Sequence, residues 1–256
     1  MHAYLKAALS ITDQAQAIPL KHFRQGIDII HKTDMSPVTM ADHATERFIR
    51  DALQAAFPEH GIIGEEFDPR HTSGALQWII DPIDGTRAFI SGMPLFGMLL
   101  ALLENGAPRL SVVRMPALDE VYCGDGVLAD MNGAALEVAE TATLQDAMLY
   151  INEADKMMRD APEAFARLNA AGRDRRFSYD CYPHMLLAAG QVDACADFDL
   201  KPYDFLPLVP IVEGAGGVIT DWQGKALGLD SDGRVLSAAT PELHAELLEL
   251  LAGADG

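Results

Sequence analysis

The sequence predicts a mixed α/β protein, α+β in its first half and α/β in its second. Two observations carry this expectation. Short β-like runs follow one another between residues 61 and 123, and Asn-Gly pairs at 105–106 and 132–133 mark hairpin turns. After about residue 141, strand-like and helical pieces alternate instead, which is the pattern of an α/β unit.

Taken in order, Leu5, Ala8, Leu9 and Ala15 recur at helical spacing, so the chain opens with an amphipathic helix. The stretch 30–38 lacks periodicity and contains Lys32, Asp34, Ser36 and Pro37, which predicts a loop. Thr39 offers the N-cap of a second helix with an apolar face of Ala41, Ala44, Phe48, Ile49, Leu53 and Ala56. Phe57-Pro58 ends it. Strand-like runs follow at 61–64, 78–81, 96–103, 110–115 and 121–123, and the hairpin turns predict an antiparallel sheet. In the second half, strands at 148–151, 192–196, 217–220 and 235–238 alternate with helices at 162–171, 182–189, 205–213 and 241–251. Thr240 caps the last helix, Pro241 lies in its first turn and Gly253 follows its end. No repeat or low-complexity linker intervenes, so residues 1–137 and 138–256 are expected to be lobes of one unit.

Composition narrows the function. The chain has 256 residues, and 19 Lys and Arg against 38 Asp and Glu give a formal charge of −19. That argues against nucleic acid or an anionic membrane as partner, since both need clustered cations. Cys123, Cys181 and Cys195 form no CxxC pair and predict no disulfide framework, which suits a reducing compartment. The first 23 residues lack an unbroken apolar core, so no signal peptide is read. The longest apolar run, 96–103, falls well short of the roughly 20 residues a bilayer requires. The expected location is the cytoplasm.

The informative segment is Trp78-Ile79-Ile80-Asp81-Pro82-Ile83-Asp84-Gly85-Thr86. An apolar strand runs into two aspartates, with a proline fixing the backbone between them. Buried carboxylates need a counter-charge, and the nearest cationic side chain is Arg87. A hard divalent cation such as Mg²⁺ is the natural partner. Backbone N–H groups at Gly85 and Thr86 suit a phosphate oxygen. Gly64-Glu65-Glu66 ends another apolar run, and Asp204 opens the segment that closes with Glu213-Gly214-Ala215-Gly216-Gly217. Read singly, each has a plainer meaning. Asp204 is then an N-cap, Asp42 the acidic member of a capping box, Glu65-Glu66 a solvated turn, and Asp81 with Asp84 an Asx-type turn. Together, several strand and helix ends carry acids beside glycine. His22, His31, His43, His60, His71 and His184 fall at no metal-binding spacing and His2 and His244 lie near the termini; most read as solvent-facing, with His184 alone near the substrate segment. No Ser-His-Asp nucleophile pattern is present.

These motifs, with Ser36-Pro37-Val38-Thr39 and Asp42, resemble the inositol monophosphatase family of Mg²⁺-dependent phosphatases over nearly the whole chain. Asp84-Gly-Thr-Arg-Ala-Phe-Ile-Ser-Gly92, Asp180-Cys-Tyr182, Leu186-Leu-Ala-Ala-Gly190, Leu200-Lys-Pro-Tyr-Asp-Phe205 and Asp221-Trp222 are most similar to its histidinol-phosphatase branch. The resemblance implies a layered αβαβα sandwich of the inositol monophosphatase and fructose-1,6-bisphosphatase type. It also implies a homodimer and hydrolysis of a small phosphate monoester with two or more Mg²⁺ ions. By the same resemblance, Glu65, Asp81, Asp84, Asp204 and the carbonyl of Ile83 are metal ligands, most of them in residues 1–137. Thr86 and Asp42 orient the attacking water, with Glu65 holding part of its metal. Asp84, Gly85 and Thr86 meet the phosphate, and residues 32–38 match a loop that helps complete the metal site. Arg87, Asp180, Tyr182 and Asp197 form the substrate side in residues 138–256 and at the start of the helix after Gly85. Inositol phosphatases carry a glutamate at the position of Asp197, and Pro183-His184 replaces an expected pair of small residues. The expected substrate is histidinol phosphate. The alternatives are inositol-1-phosphate or another small sugar or nucleotide phosphate, and a catalytically silent metal-binding relative.

Overall fold

In the structure, a computed structural model, residues 2–25, 29–31 and 37–253 are described. Helix α1 (His2–Ala15) buries Ala8, Ile11 and Ala15, and α2 (Ala17–His22) follows it. Strands β1 (Ile29–His31) and β2 (Pro37–Thr39) pair antiparallel, so the ends of the stretch read as a loop form a hairpin. Residues 32–36, the core of the loop matched by resemblance, lie outside the described residues. Helix α3 (Met40–Ala56) begins where expected, with the Thr39 hydroxyl accepting the N–H of Ala41 at 3.1 Å.

The first sheet has seven strands in the order β3 (Gly61–Gly64), β4 (Leu76–Asp84), β5 (Gly97–Glu104), β6 (Ala107–Met115), β7 (Glu120–Gly124), β8 (Ala129–Met131) and β9 (Ala134–Ala135). Helix α4 (Thr86–Ser91) lies between β4 and β5 in the chain. Neighbouring strands run antiparallel, as expected, except that β3 and β4 are parallel. After the Glu65–Glu66 turn the chain folds back along β3, where Arg70 and Ile62 form an antiparallel bridge, before it enters β4. Asn105-Gly106 and Asn132-Gly133 adopt positive φ at both positions, the geometry of tight hairpin turns.

The second sheet holds β10 (Met148–Asn152), β11 (Asp174–Ser178), β12 (Ala194–Asp197), β13 (Val218–Asp221) and β14 (Val235–Ala238), ordered β11-β10-β12-β14-β13. Strand β11 was not legible. Asp174, Arg175 and Arg176 make it polar because it is an exposed edge, where charge discourages further pairing. Its helices are α5 (Ala154–Asp160), α6 (Pro162–Ala170), α7 (Tyr182–Ala188), α8 (Pro202–Phe205), α9 (Val209–Gly214) and α10 (Pro241–Leu251). The helix expected over 205–213 is instead the pair α8 and α9, since Pro207 and Pro210 interrupt its hydrogen bonding.

Three apolar cores stack these elements into an αβαβα sandwich. Ile11, Ile49 and Leu53 of α1 and α3 pack on Trp78, Ile80, Leu100 and Leu102 on one face of the first sheet. In the middle layer, Met185, Leu187, Phe205, Leu208 and Ile211 of the α7–α9 region meet Ile79, Leu99 and Val113, and also Ile219 and Val235 of the second sheet. On the far side, Met157, Leu168, Leu243 and Leu247 cover Leu149, Ile151 and Leu236. Strand β4 therefore faces two cores, Trp78 and Ile80 to one and Ile79 to the other. No described helix is long and apolar enough to cross a membrane. Ile79 is fully buried, so Ile79→Ala should destabilise the protein by about 2–5 kcal/mol in chemical denaturation. A loss under about 1 kcal/mol would mean that the middle core closes around the gap.

Candidate active site

Residues three apart on an unbroken strand point to opposite faces. Asp81 and Asp84 nevertheless reach the same space, and the strand pairing shows how. Asp81 pairs with Leu99 and Asp84 with Gly97, so β4 carries one more residue than β5 over that step. This bulge, at Pro82-Ile83, turns the second carboxylate to the side of the first. Pro82 has no N–H to leave unpaired there. Oxygens of Asp81, Asp84 and Asp204 all lie within 4.8 Å of one another.

Each acid is held by backbone. Asp81 Oδ1 accepts the N–H of Ile83 at 3.0 Å, the Asx turn, and Ile83 is itself buried. Asp84 Oδ2 accepts the N–H of Cys181 at 2.6 Å, which ties the end of β4 to α7. Gly97 makes that approach possible, since a Cβ there would lie 2.5 Å from Cys181 Sγ. Asp204 lies in the first turn of α8, and its Oδ2 accepts the Lys201 N–H at 2.7 Å, so it caps and faces the cleft at once.

Glu65 lines the same cleft, of about 170 Å³, with Asp81, Ile83, Asp84, Gly85, Thr86 and Asp204. Its turn is clamped from α3. Glu46 Oε2 accepts the Glu66 N–H at 2.7 Å, and Arg50, paired with Glu46 at 2.6 Å, donates to the Phe67 carbonyl at 2.9 Å. Gly64 is required beside them, because a Cβ there would lie 2.0 Å from Glu46 Oε1.

Asp42 serves the capping box and the cleft together. Its Oδ2 accepts both the Thr39 N–H (2.8 Å) and the Thr39 hydroxyl (2.6 Å). Its Oδ1 faces Thr86 Oγ1 at 3.3 Å, and the Ile83 carbonyl lies at the same distance from that hydroxyl. Thr86 has one proton, so it donates to one of these and keeps lone pairs for a water. Gly85 has φ +85°, and a Cβ there would meet Asp180 Oδ2 at 2.7 Å, so both its backbone and its neighbour demand glycine.

The substrate side differs from expectation in two positions. Arg87 and Asp180 line the cleft. Asp197 does not. It is 1% exposed, and its carboxylate is used by Asn152 Nδ2 (2.7 Å), His184 Nε2 (3.1 Å) and the Phe198 N–H (2.8 Å). Asn152 also donates to the Asp180 carbonyl at 3.0 Å, so Asp197 stands behind Asp180 and braces it. Tyr182 turns to Glu120, its hydroxyl 3.4 Å from Oε1, and packs on the middle core. His184 and His244 are buried, against the expectation of mostly solvent-facing histidines. The His184 ring lies between two polar partners, with Nδ1 2.9 Å from the Ser237 hydroxyl and Nε2 3.1 Å from the Asp197 carboxylate.

Sequence reasoning missed Glu153, Lys156 and Asp199, which complete the cleft wall. Lys156 Nζ bridges Glu153 (2.7 Å) and Asp199 (3.2 Å). Glu153, Asp180 and Asp199 all have left-handed backbone, with φ of 49°, 64° and 62°. Such residues cluster where a site over-determines the chain. Glu153 follows a strand just as Glu65 does, but without the neighbouring glycine that marks Glu65 in the sequence.

The charge is unbalanced. Burial first, and then the neighbouring acids, hold Asp81 and Asp84 well above the usual carboxylate range. The same two causes push Asp180 and Asp204 up to about 7, with Arg87 opposing at Asp180 and the Lys201 N–H at Asp204. Among the described residues, the cluster of Asp81, Asp84 and Asp204 offers only oxygen donors, the set that a hard divalent cation prefers. An unfolded aspartate has a pKa of roughly 3.9. Between that value and about 7, the folded protein binds more protons than the unfolded chain. Stability contributed by these groups is therefore present at low pH and is lost as pH rises through the folded values. Without divalent cation, Tm should fall from about pH 5 to about pH 8, and added Mg²⁺ should raise it more at the higher pH. A metal-free Tm that climbs over this interval contradicts the charge assignment.

The sequence model of the inositol monophosphatase family matches residues 1–254. The chain is 38% identical over 236 residues to a histidinol-phosphatase of Chlorobaculum parvum, covering 90% of each protein. It is 37% identical over 252 residues to the bifunctional phosphatase IMPL2, chloroplastic, of Arabidopsis thaliana, covering 94% of this chain and 73% of that protein. Among solved structures, an inositol monophosphatase from Zymomonas mobilis is similar with a TM-score of 0.89, at 35% identity and over 98% of each chain. With the layered fold and the clustered acids in place over that whole length, the chain belongs to the inositol monophosphatase family of phosphatases.

Proposed function

We propose that this phosphatase hydrolyses L-histidinol phosphate to L-histidinol and phosphate, a step of histidine biosynthesis, with two or more Mg²⁺ ions, and that it acts as a homodimer. The observation that carries the substrate is the acid-rich leaving-group side of the cleft. Glu153, Asp180 and Asp199 stand there against Lys156 and Arg87, a setting that favours a cationic alcohol over a neutral one. The likeness to the Chlorobaculum parvum histidinol-phosphatase supports the same reading.

Glu65, Asp81, Asp84, Asp204 and the Ile83 carbonyl would hold the metal. When bound, Mg²⁺ supplies an acidified water and charge neutralisation at the phosphoryl and leaving oxygens. The chain's own groups then orient the reactants. Thr86 donates its proton to Asp42 Oδ1 and accepts from the attacking water, which holds that water in line with phosphorus. The N–H groups of Gly85 and Thr86 meet a phosphoryl oxygen as charge develops on it. No histidine base is required.

A second reading, hydrolysis of inositol-1-phosphate, is favoured by the likeness to the Zymomonas mobilis protein. A catalytically silent relative has less support, because such a protein has no need to keep Thr86 and Asp42 within 3.3 Å. Phosphate release from L-histidinol phosphate and from inositol-1-phosphate separates the first two. A kcat/KM at least about tenfold higher for histidinol phosphate is expected, and the reverse order would refute the substrate. Asp84→Asn should keep the far-ultraviolet circular dichroism spectrum and lose Mg²⁺-dependent phosphate release; near-normal turnover would refute the metal assignment. Thr86→Ala should lower kcat by about 10²-fold or more with little change in Mg²⁺ affinity. If it chiefly alters Mg²⁺ affinity, the water-orienting role is wrong.

A further inference from the structure

A second cavity, of about 220 Å³, adjoins the catalytic cleft and shares Arg87, Glu153 and Asp180 with it. Beyond those three, its wall changes character to Ala88, Met93, Leu95 and Tyr179, with the hydroxyls of Ser91 and Ser178. Met93 and Tyr179 are 51% and 45% exposed, so two large apolar surfaces face this space with nothing covering them. Ser91 Oγ donates to the Ala88 carbonyl at 3.0 Å, which leaves its lone pairs able to accept an N–H.

From the start of α4 to its end, the environments run in a fixed order. Phosphate-suited amides come first at Gly85 and Thr86, then the acids Glu153 and Asp180 of the shared wall, then the apolar pocket. The groups of L-histidinol phosphate run in the same order. Its ammonium is on the carbon next to the phosphorylated one, and its imidazole lies one methylene beyond. We propose that this pocket is the leaving-group subsite, in which Glu153 and Asp180 grip the ammonium and the Met93, Leu95 and Tyr179 wall covers the imidazole. The inference rests on the histidinol-phosphate reading above and deepens it. A neutral polyol fits the pocket poorly, since the apolar wall would leave its hydroxyls unpaired. Glu153 takes the place that the sequence assigned to Asp197, which lies behind the wall.

Three esters separate the parts: L-histidinol phosphate with amine and ring, 2-aminoethyl phosphate with the amine alone, and glycerol 2-phosphate with neither. The native protein, Ser91→Phe and Glu153→Gln are assayed on each with Mg²⁺. Ser91→Phe, which fills the pocket, should raise KM for histidinol phosphate about tenfold or more and leave both smaller esters within about twofold. Glu153→Gln should weaken both aminated esters about tenfold more than it weakens glycerol 2-phosphate, with circular dichroism reporting the fold. If the native protein prefers histidinol phosphate but neither variant discriminates among the esters, the subsite is overturned and the substrate reading stands. If the native protein turns over glycerol 2-phosphate as efficiently as histidinol phosphate, both fall.

Discussion

Like charges forced together in a poorly solvated space repel, and the remainder of this structure is arranged around keeping three of them together. Asp81, Asp84 and Asp204 share a cleft in which burial already disfavours their charge. Left to side-chain freedom alone, they would splay apart. The chain prevents this by attaching each to backbone N–H groups of Ile83, Cys181 and Lys201, and by bulging β4 at Pro82-Ile83. Those anchors come from both sheets' neighbourhoods, so the site is assembled only when the middle core is packed. Protonation, which burial and the neighbouring acids favour, relieves part of that repulsion.

Much of this was legible because acids at strand ends beside glycine are a local signal. Asp81-Pro82-Ile83-Asp84-Gly85 announces a buried strand that ends in clustered carboxylates, and the two Asn-Gly turns fix the hairpins around it. What escaped was non-local. Asp197 has the spacing expected of a substrate contact, yet whether it faces the cleft depends on His184 and Asn152, brought from other elements. Tyr182 is withdrawn by Glu120, sixty-two residues away in the chain. Strand β11 was hidden because an edge strand has little apolar surface to reveal it. The break between α8 and α9 could have been read from Pro207 and Pro210.

Asp42 shows that a structural reading and a functional one need not compete. One oxygen completes the start of α3 and the other approaches Thr86. Tying the residue to the helix start gives it a fixed rotamer, and a fixed rotamer is what aiming a hydroxyl requires. Glu46 and Arg50 do the same at a distance, using the middle of α3 to hold the turn that presents Glu65. A single helix thus registers two parts of the cleft against each other.

The bulge at Pro82-Ile83 and the turns at Glu153 and Asp180 belong to different stretches of chain. The first gathers the clustered aspartates, while the second and third shape the cleft wall beside them. The wall formed near the ends of β10 and β11 can therefore be re-cut by substitution while the kink that gathers Asp81 and Asp84 stays as it is.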